Sequence, residues 1–300
     1  MTTARKILVD QSAPCYYHIV SRCVRQAWLC GKHGGRDYSH RKRWLIKRFK
    51  MLAKYFPIEI HAYAVLSNHF HLVLYYNPLA PAAWTNEEVV ERWLQICPPK
   101  DYKGRVDPGL KELRKELYLS NLEQVQKIRV KLGSLSTFMK LLKQPVARRA
   151  NLEDECEGHF FEKRFFSAAL LTDEALLAAM AYVDLNPIRA KLTRKLKDSE
   201  HTSIAERLST HELEHKLRPI SSGLAPRQYP SDLTLERYLW RLKLLTAEHS
   251  DKLKPKEDSI SRWRHNVSLL KRKQRAFGYL PDLTQWLERR GLRFREQPMY

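Results

Sequence analysis

The stretch Ser67-Asn68-His69-Phe70-His71-Leu72-Val73-Leu74 leaves the chain few ways to fold. Apolar residues dominate 69–75 and Asn77-Pro78 ends the run, a β-strand pattern. Alternate side chains on a strand point to opposite faces, so His69 and His71 share one face, their Cα atoms roughly 6.5–7 Å apart. Phe70, Leu72 and Leu74 take the other face, which the pattern assigns to a core. Two imidazoles at this spacing can converge on one divalent cation. The spacing alone more often marks an ordinary strand pair hydrogen-bonded to its neighbours. Residues 58–66 read as a preceding strand, and Ser67-Asn68 as the short turn of an antiparallel hairpin.

The remaining elements fall around this hairpin. A first strand is expected over 16–22, after Pro14. Ser39 is placed to cap a helix running to about residue 55, with Leu45, Phe49 and Leu52 at helical spacing. Arg41, Lys42, Arg43, Lys47, Arg48 and Lys50 crowd the rest of that helix with no interleaved acid, a pattern that fits phosphate contact somewhat better than a solvated face. Surface helices are expected over 87–95 and 109–131, and a further helix begins at Ser134 or Ser136, which Pro145 should kink or restart. The segment 158–165 leads into a strand over 166–171. Thr172 then caps an Ala- and Leu-rich helix over 173–185, closed by Asn186-Pro187. Beyond residue 195 the character changes. Residues 206–232 read as a Pro- and Ser-containing linker, and three helices follow over 233–248, 259–277 and 282–290, the second strongly basic.

Charge narrows the partner. The net charge is +21, and residues 1–60 hold 13 Lys and Arg against 3 Asp and Glu. A polyanion is the natural partner, nucleic acid before a membrane surface. No run approaches the ~18 consecutive apolar residues of a membrane span, and residues 1–11 lack the apolar core of a signal peptide, so a cytoplasmic protein is expected. The five cysteines form no CxxC pair and read as free thiols.

On the 173–185 helix, Tyr182 stands four residues before Asn186, which puts both side chains on one helix face. Asn186 offers a carbonyl oxygen, a hard ligand suited to magnesium or manganese. A phenol such as Tyr182 can attack a phosphodiester when its deprotonation is assisted. Taken alone, the pair is better accounted for by a partly buried Tyr and a helix-ending Asn before Pro.

Asn68-His69-Phe70-His71-Leu72 resembles the His-hydrophobic-His signature of the HUH endonuclease superfamily. Ala181-Tyr182-Val183-Asp184-Leu185-Asn186-Pro187-Ile188-Arg189-Ala190 is similar to the catalytic helix end of its single-tyrosine transposases, nearest the branch that includes the REP-associated tyrosine transposases. Tyr16-Tyr17-His18-Ile19-Val20-Ser21-Arg22 and Gly158-His159-Phe160-Phe161-Glu162-Lys163-Arg164-Phe165 resemble that branch's first strand and pre-helix segment, in the same order. The resemblance implies an α+β fold: a ferredoxin-like antiparallel sheet with helices packed mainly on one face, here with a helical C-terminal extension. It implies cleavage and rejoining of single-stranded DNA near hairpins through a 5′-phosphotyrosine. Carried over, Tyr182 is the nucleophile, and His69, His71 and Asn186 hold a divalent metal, Mg²⁺ or Mn²⁺. In many members the site forms across a dimer, so a homodimer is among the expectations.

Phosphate contacts are expected from Arg22, which shares a strand face with His18, from Arg41, Arg43 and Lys47 on the cationic helix, and from Lys163 and Arg164 before the last strand. The division expected is a catalytic domain over 1–195, enlarged by an insertion at 77–133, and a basic helical extension over 196–300. Those two long segments depart from the compact members of the family. Two other functions share the same residues: a non-catalytic module binding hairpin DNA or RNA, and a replication-initiator or relaxase-type nuclease.

Overall fold

A computed structural model of the chain describes residues 4–209, 234–245 and 257–300. Its elements run α1 (Arg5–Leu8), β1 (Cys15–Arg22), a small hairpin of β2 (Lys32–His33) and β3 (Arg36–Asp37), α2 (His40–Ala53), β4 (Ile58–Val65) and β5 (His69–Tyr76). Then come α3 (Asn86–Ile96), α4 (Pro108–Leu119), α5 (Leu122–Leu132), α6 (Leu135–Glu153), β6 (Phe166–Leu170), α7 (Asp173–Asp184), α8 (Asn186–Arg189) and α9 (Ser203–Ser209). The chain ends with α10 (Leu235–Lys243), α11 (Glu257–Leu269), β7 (Ala276–Phe277) and α12 (Leu280–Glu288). Among the described residues no helix is long and apolar enough to cross a membrane.

One five-stranded sheet organises these pieces, in the order β4-β5-β1-β6-β7. The first four strands are antiparallel neighbours, and β7 pairs parallel to β6. The β1-α2-β4-β5-α6-β6 succession and that strand order are the ferredoxin-like arrangement the sequence leads one to expect. A two-residue turn at Ser67-Asn68 joins β4 to β5, with Val65 opposite Phe70. Its carbonyls are held from outside the hairpin: Cys23 N–H donates to Asn68 O and Cys30 N–H to Ser67 O.

Two cores sandwich the sheet. On one face Tyr17, Ile19, Phe70, Leu72 and Leu74 pack under Leu45, Phe49 and Leu52 of α2 and Phe138, Leu142 and Val146 of α6. A register shift in β4 between Ile60 and Ala62 lets Ile58, Ile60, Tyr63 and Val65 all serve this core. The other face is paved with small side chains, Ala62, Ala64 and Ala168, beneath the alanines of α7. Small residues on both sides let the helix lie close to the sheet. The two crossover helices α2 and α6 thus occupy one face, as expected, while α7 takes the second. Residues beyond 195 share that second core through Tyr238 and Leu242 of α10, Trp263 and Val267 of α11, and Phe277 of β7.

Local differences from the sequence reading have local causes. Ser39 makes no side-chain cap at α2; Asp37 Oδ1 accepts from Ser39 N instead. The expected 109–131 helix is two helices, because Asn121 breaks in to cap α5 through Gln124 N. Ser134 caps α6, which runs through Pro145 without a break. The 259–277 helix ends at Leu269, and Ala276-Phe277 extend the sheet. Most of the 206–232 linker lies outside the described residues, although its first residues belong to α9.

Candidate active site

The site lies on the α7 side of the sheet, where strand pleat and helix pitch bring their side chains together. Register places Val20 opposite His71 and Arg22 opposite His69, so β1 supplies His18 and Arg22 to the face that carries the histidine pair. Above it, every residue of α7 is buried except Tyr182, which stays partly open. Thr172 caps the helix by accepting from Ala175 N, and Asp173 and Glu174 occupy its first turn, where they favour the helix dipole. The Tyr182 ring stands 5.8 Å from the His71 ring and 5.8 Å from the His18 ring, both centroid to centroid and edge to face. One turn on, Asn186 Nδ2 donates to His71 Nε2 at 3.0 Å. Tyr182, His71 and Asn186 therefore meet within one chain.

The two histidines of the pair are held differently. His69 Nδ1 bonds Asn68 Oδ1 at 2.6 Å, so its proton sits on Nδ1 and its Nε2 presents a lone pair. The His69 and His71 rings lie 4.9 Å apart. His71 is sunk in the interior, and its Nδ1 lies 2.9 Å from Nε2 of His18, equally buried. Burial is the largest cause that keeps all three rings neutral. It pulls His69 down to about 4 and His18 to about 3, in both cases with help from the Arg22 charge, and takes His71 well below its ordinary range. Neutral imidazole is the form that binds metal.

Burial also raises the Tyr182 phenol above its usual value, against the opposing pull of Arg189 and Arg22. The Arg189 guanidinium lies 4.9 Å from the centre of the Tyr182 ring. Among the described residues the Tyr182 hydroxyl has no hydrogen-bond partner.

A divalent cation fits this donor set in kind. Two imidazole nitrogens and an amide oxygen are ligands that magnesium and manganese accept, with water or phosphate oxygens completing the shell. The Asn186–His71 contact marks where such an ion would enter. Among the described residues no group of three or more His, Cys, Asp or Glu side chains is arranged to hold a metal ion.

The expected phosphate contacts divide. Arg22 borders the histidines. Lys163 and Arg164 are exposed on the loop whose Glu162 N–H donates to Arg22 O, beside the same end of β1. Arg43 and Lys47 are exposed, but on α2, which packs on the opposite sheet face. Arg41 is not available to DNA. Its side chain is fully buried, ion-paired with Glu153 (2.7 Å) and Asp154, bonded to Leu29 O, and covered by the Tyr38 ring at 4.0 Å. The cation ties α2 to the end of α6, which is why it stands in a run of surface charges without being one.

Arg189 and Asp184 escape a reading from sequence. Arg189 follows Tyr182 by seven residues, two helical turns, and that spacing is the signal that points to it. Asp184 looks like a surface acid in sequence but is wholly buried: Tyr238 Oη donates to it at 2.8 Å, Ile204 N at 3.1 Å, and Ser203 Oγ completes the set.

No family model matches the chain, and no curated protein does. Among solved structures, a REP-associated tyrosine transposase bound to a REP hairpin is similar, with a TM-score of 0.36 and 13% identity over 73% of this chain and 90% of that one. At that TM-score the likeness is loose, and the geometry of the site carries the functional reading.

Proposed function

We propose that this protein is a metal-dependent, single-tyrosine endonuclease and strand transferase that acts on single-stranded DNA beside a hairpin. The observation that supports it is the meeting of Tyr182 with His71 and Asn186 in one chain, over a strand that also presents His69 Nε2. Pure nucleic-acid binding does not need a phenol next to neutral imidazoles and an amide.

His69, His71 and Asn186 would hold Mg²⁺ or Mn²⁺, which when bound polarises the scissile phosphate and neutralises its developing charge. The Tyr182 oxygen attacks phosphorus, the bond to the 3′ oxygen breaks, and that oxygen leaves with a proton as a 3′-hydroxyl. The 5′-phosphotyrosine keeps the energy of the broken bond, so the reverse attack by a 3′-hydroxyl rejoins strands without ATP. Arg189 and Arg22 favour the phenolate that burial disfavours. Arg22, Lys163 and Arg164 would grip backbone phosphates on the same side, a role in keeping with the excess of positive charge.

The test is incubation with Mn²⁺ and a labelled single strand carrying a hairpin. The wild type forms a denaturation-resistant protein–DNA adduct. Tyr182→Phe binds the DNA and forms none. An adduct that persists in Tyr182→Phe overturns the assignment, and binding without an adduct in the wild type favours a non-catalytic hairpin-binding module.

A further inference from the structure

The proposed metal site leaves one buried group unused. His18 lies 2% exposed on β1, its ring nearly parallel to that of His71, and its Nδ1 has no hydrogen-bond partner among the described residues. A buried imidazole with an orphaned nitrogen is costly, on the order of 1–3 kcal/mol. A residue kept in the interior at such a cost is doing something that an apolar side chain would not.

The hydrogen bonds fix what that is. Asn186 Nδ2 donates to His71 Nε2, so this nitrogen carries a lone pair. The proton of the neutral ring is then on Nδ1, which faces His18 Nε2 at 2.9 Å. His18 accepts it, and must carry its own proton on Nδ1, the atom left without a partner. The unfilled valence thus sits on His18, one ring further from the site, and His71 is fixed with its lone pair outward. His69 reaches the same state by donating to Asn68 Oδ1.

We propose that His18 is a positioning residue, which fixes the tautomer and ring orientation of His71 so that Nε2 faces the cation. It fills the place that a carboxylate or backbone carbonyl takes behind most metal-bound histidines. The proposal rests on His71 being a metal ligand.

The experiment pairs calorimetric titration with Mn²⁺ with histidine ¹⁵N spectra of the metal-free protein. His18→Gln supplies an acceptor oxygen at similar reach, whereas His18→Leu supplies none. Wild type and His18→Gln are expected to bind Mn²⁺ within about threefold of one another, with the His71 proton on Nδ1. His18→Leu is expected to bind about 10- to 100-fold more weakly, with the His71 proton moved to Nε2 as the Asn186 amide turns its oxygen to accept it. If the leucine variant does not fold, His18→Asn, too short to reach Nδ1, replaces it. Unchanged affinity and tautomer in the variant that lacks the acceptor overturn the proposal. A wild type that takes up no Mn²⁺ refutes the metal site instead, and the spectrum then decides the His18 contact alone, since a wild-type His71 protonated on Nε2 overturns it.

Discussion

Removing the Asp184 carboxylate should loosen the end of the tyrosine helix more than any change at Tyr182 itself. Asp184 closes α7, is wholly buried, and accepts from Tyr238 Oη, Ile204 N and Ser203 Oγ, with Arg207 Nη1 at 3.8 Å. In Asp184→Ala, Ser203 keeps a second acceptor in Tyr63 O, but Tyr238 and Ile204 lose theirs. Two buried donors at ~1–3 kcal/mol each, with a guanidinium left short of its counter-charge, come to about 3–5 kcal/mol. That is a large part of the ~5–15 kcal/mol typical of a folded domain. Asp184→Asn retains a carbonyl for Ile204 N and Ser203 and should cost about 1 kcal/mol. Urea unfolding followed by tryptophan fluorescence reads both variants. A loss below about 1 kcal/mol in the alanine variant, or equal losses in the two, refutes the reasoning. Linkage gives a second check. Burial raises the Asp184 carboxyl above 3.8, so the folded state holds its proton more tightly than the unfolded chain. Wild-type stability relative to Asp184→Asn should therefore fall as pH rises from about 3.8 into the raised range, and then level off.

Two further outcomes follow from the site and its flank. Arg41→Leu should destabilise the fold by about 3–5 kcal/mol, because it leaves Glu153 and Asp154 beside a buried gap, whereas exposed Arg43→Ala should stay within about 0.5 kcal/mol; thermal melts of both variants measure the contrast. The adduct-forming rate should still be climbing at pH 9–10, because burial holds the Tyr182 phenol above its ordinary value; a plateau near neutrality, at saturating Mn²⁺, contradicts that expectation.

The hairpin and the tyrosine helix were legible in sequence because each rests on a short-range rule. Period two puts His69 and His71 on one face, and the four-residue helical spacing does the same for Tyr182 and Asn186. What stayed hidden depends on pairings between distant segments. Arg41 reads as one more surface cation until α6 delivers Glu153 and Asp154, 112 and 113 residues later. The role of His18 needs the β1–β5 register, which no local pattern sets. The cover over α7 was hidden for a related reason: between its acidic ends the helix is apolar on every side, so it shows no stripe, because strands lie under it and α10 and α11 over it.

The composition of α7 also sets a timetable for biosynthesis. A helix this apolar has no complete resting place while the ribosome is still adding α10 and α11, whose last residue, Leu269, lies 85 positions after Asp184. At roughly 5–20 residues per second, that interval is about 4–17 s. During it the nascent chain exposes a sticky helix, which makes it a natural client for chaperones. In the same interval Tyr182 lacks the packing that holds it over His71, so the proposed centre stays unassembled until α11 has been made.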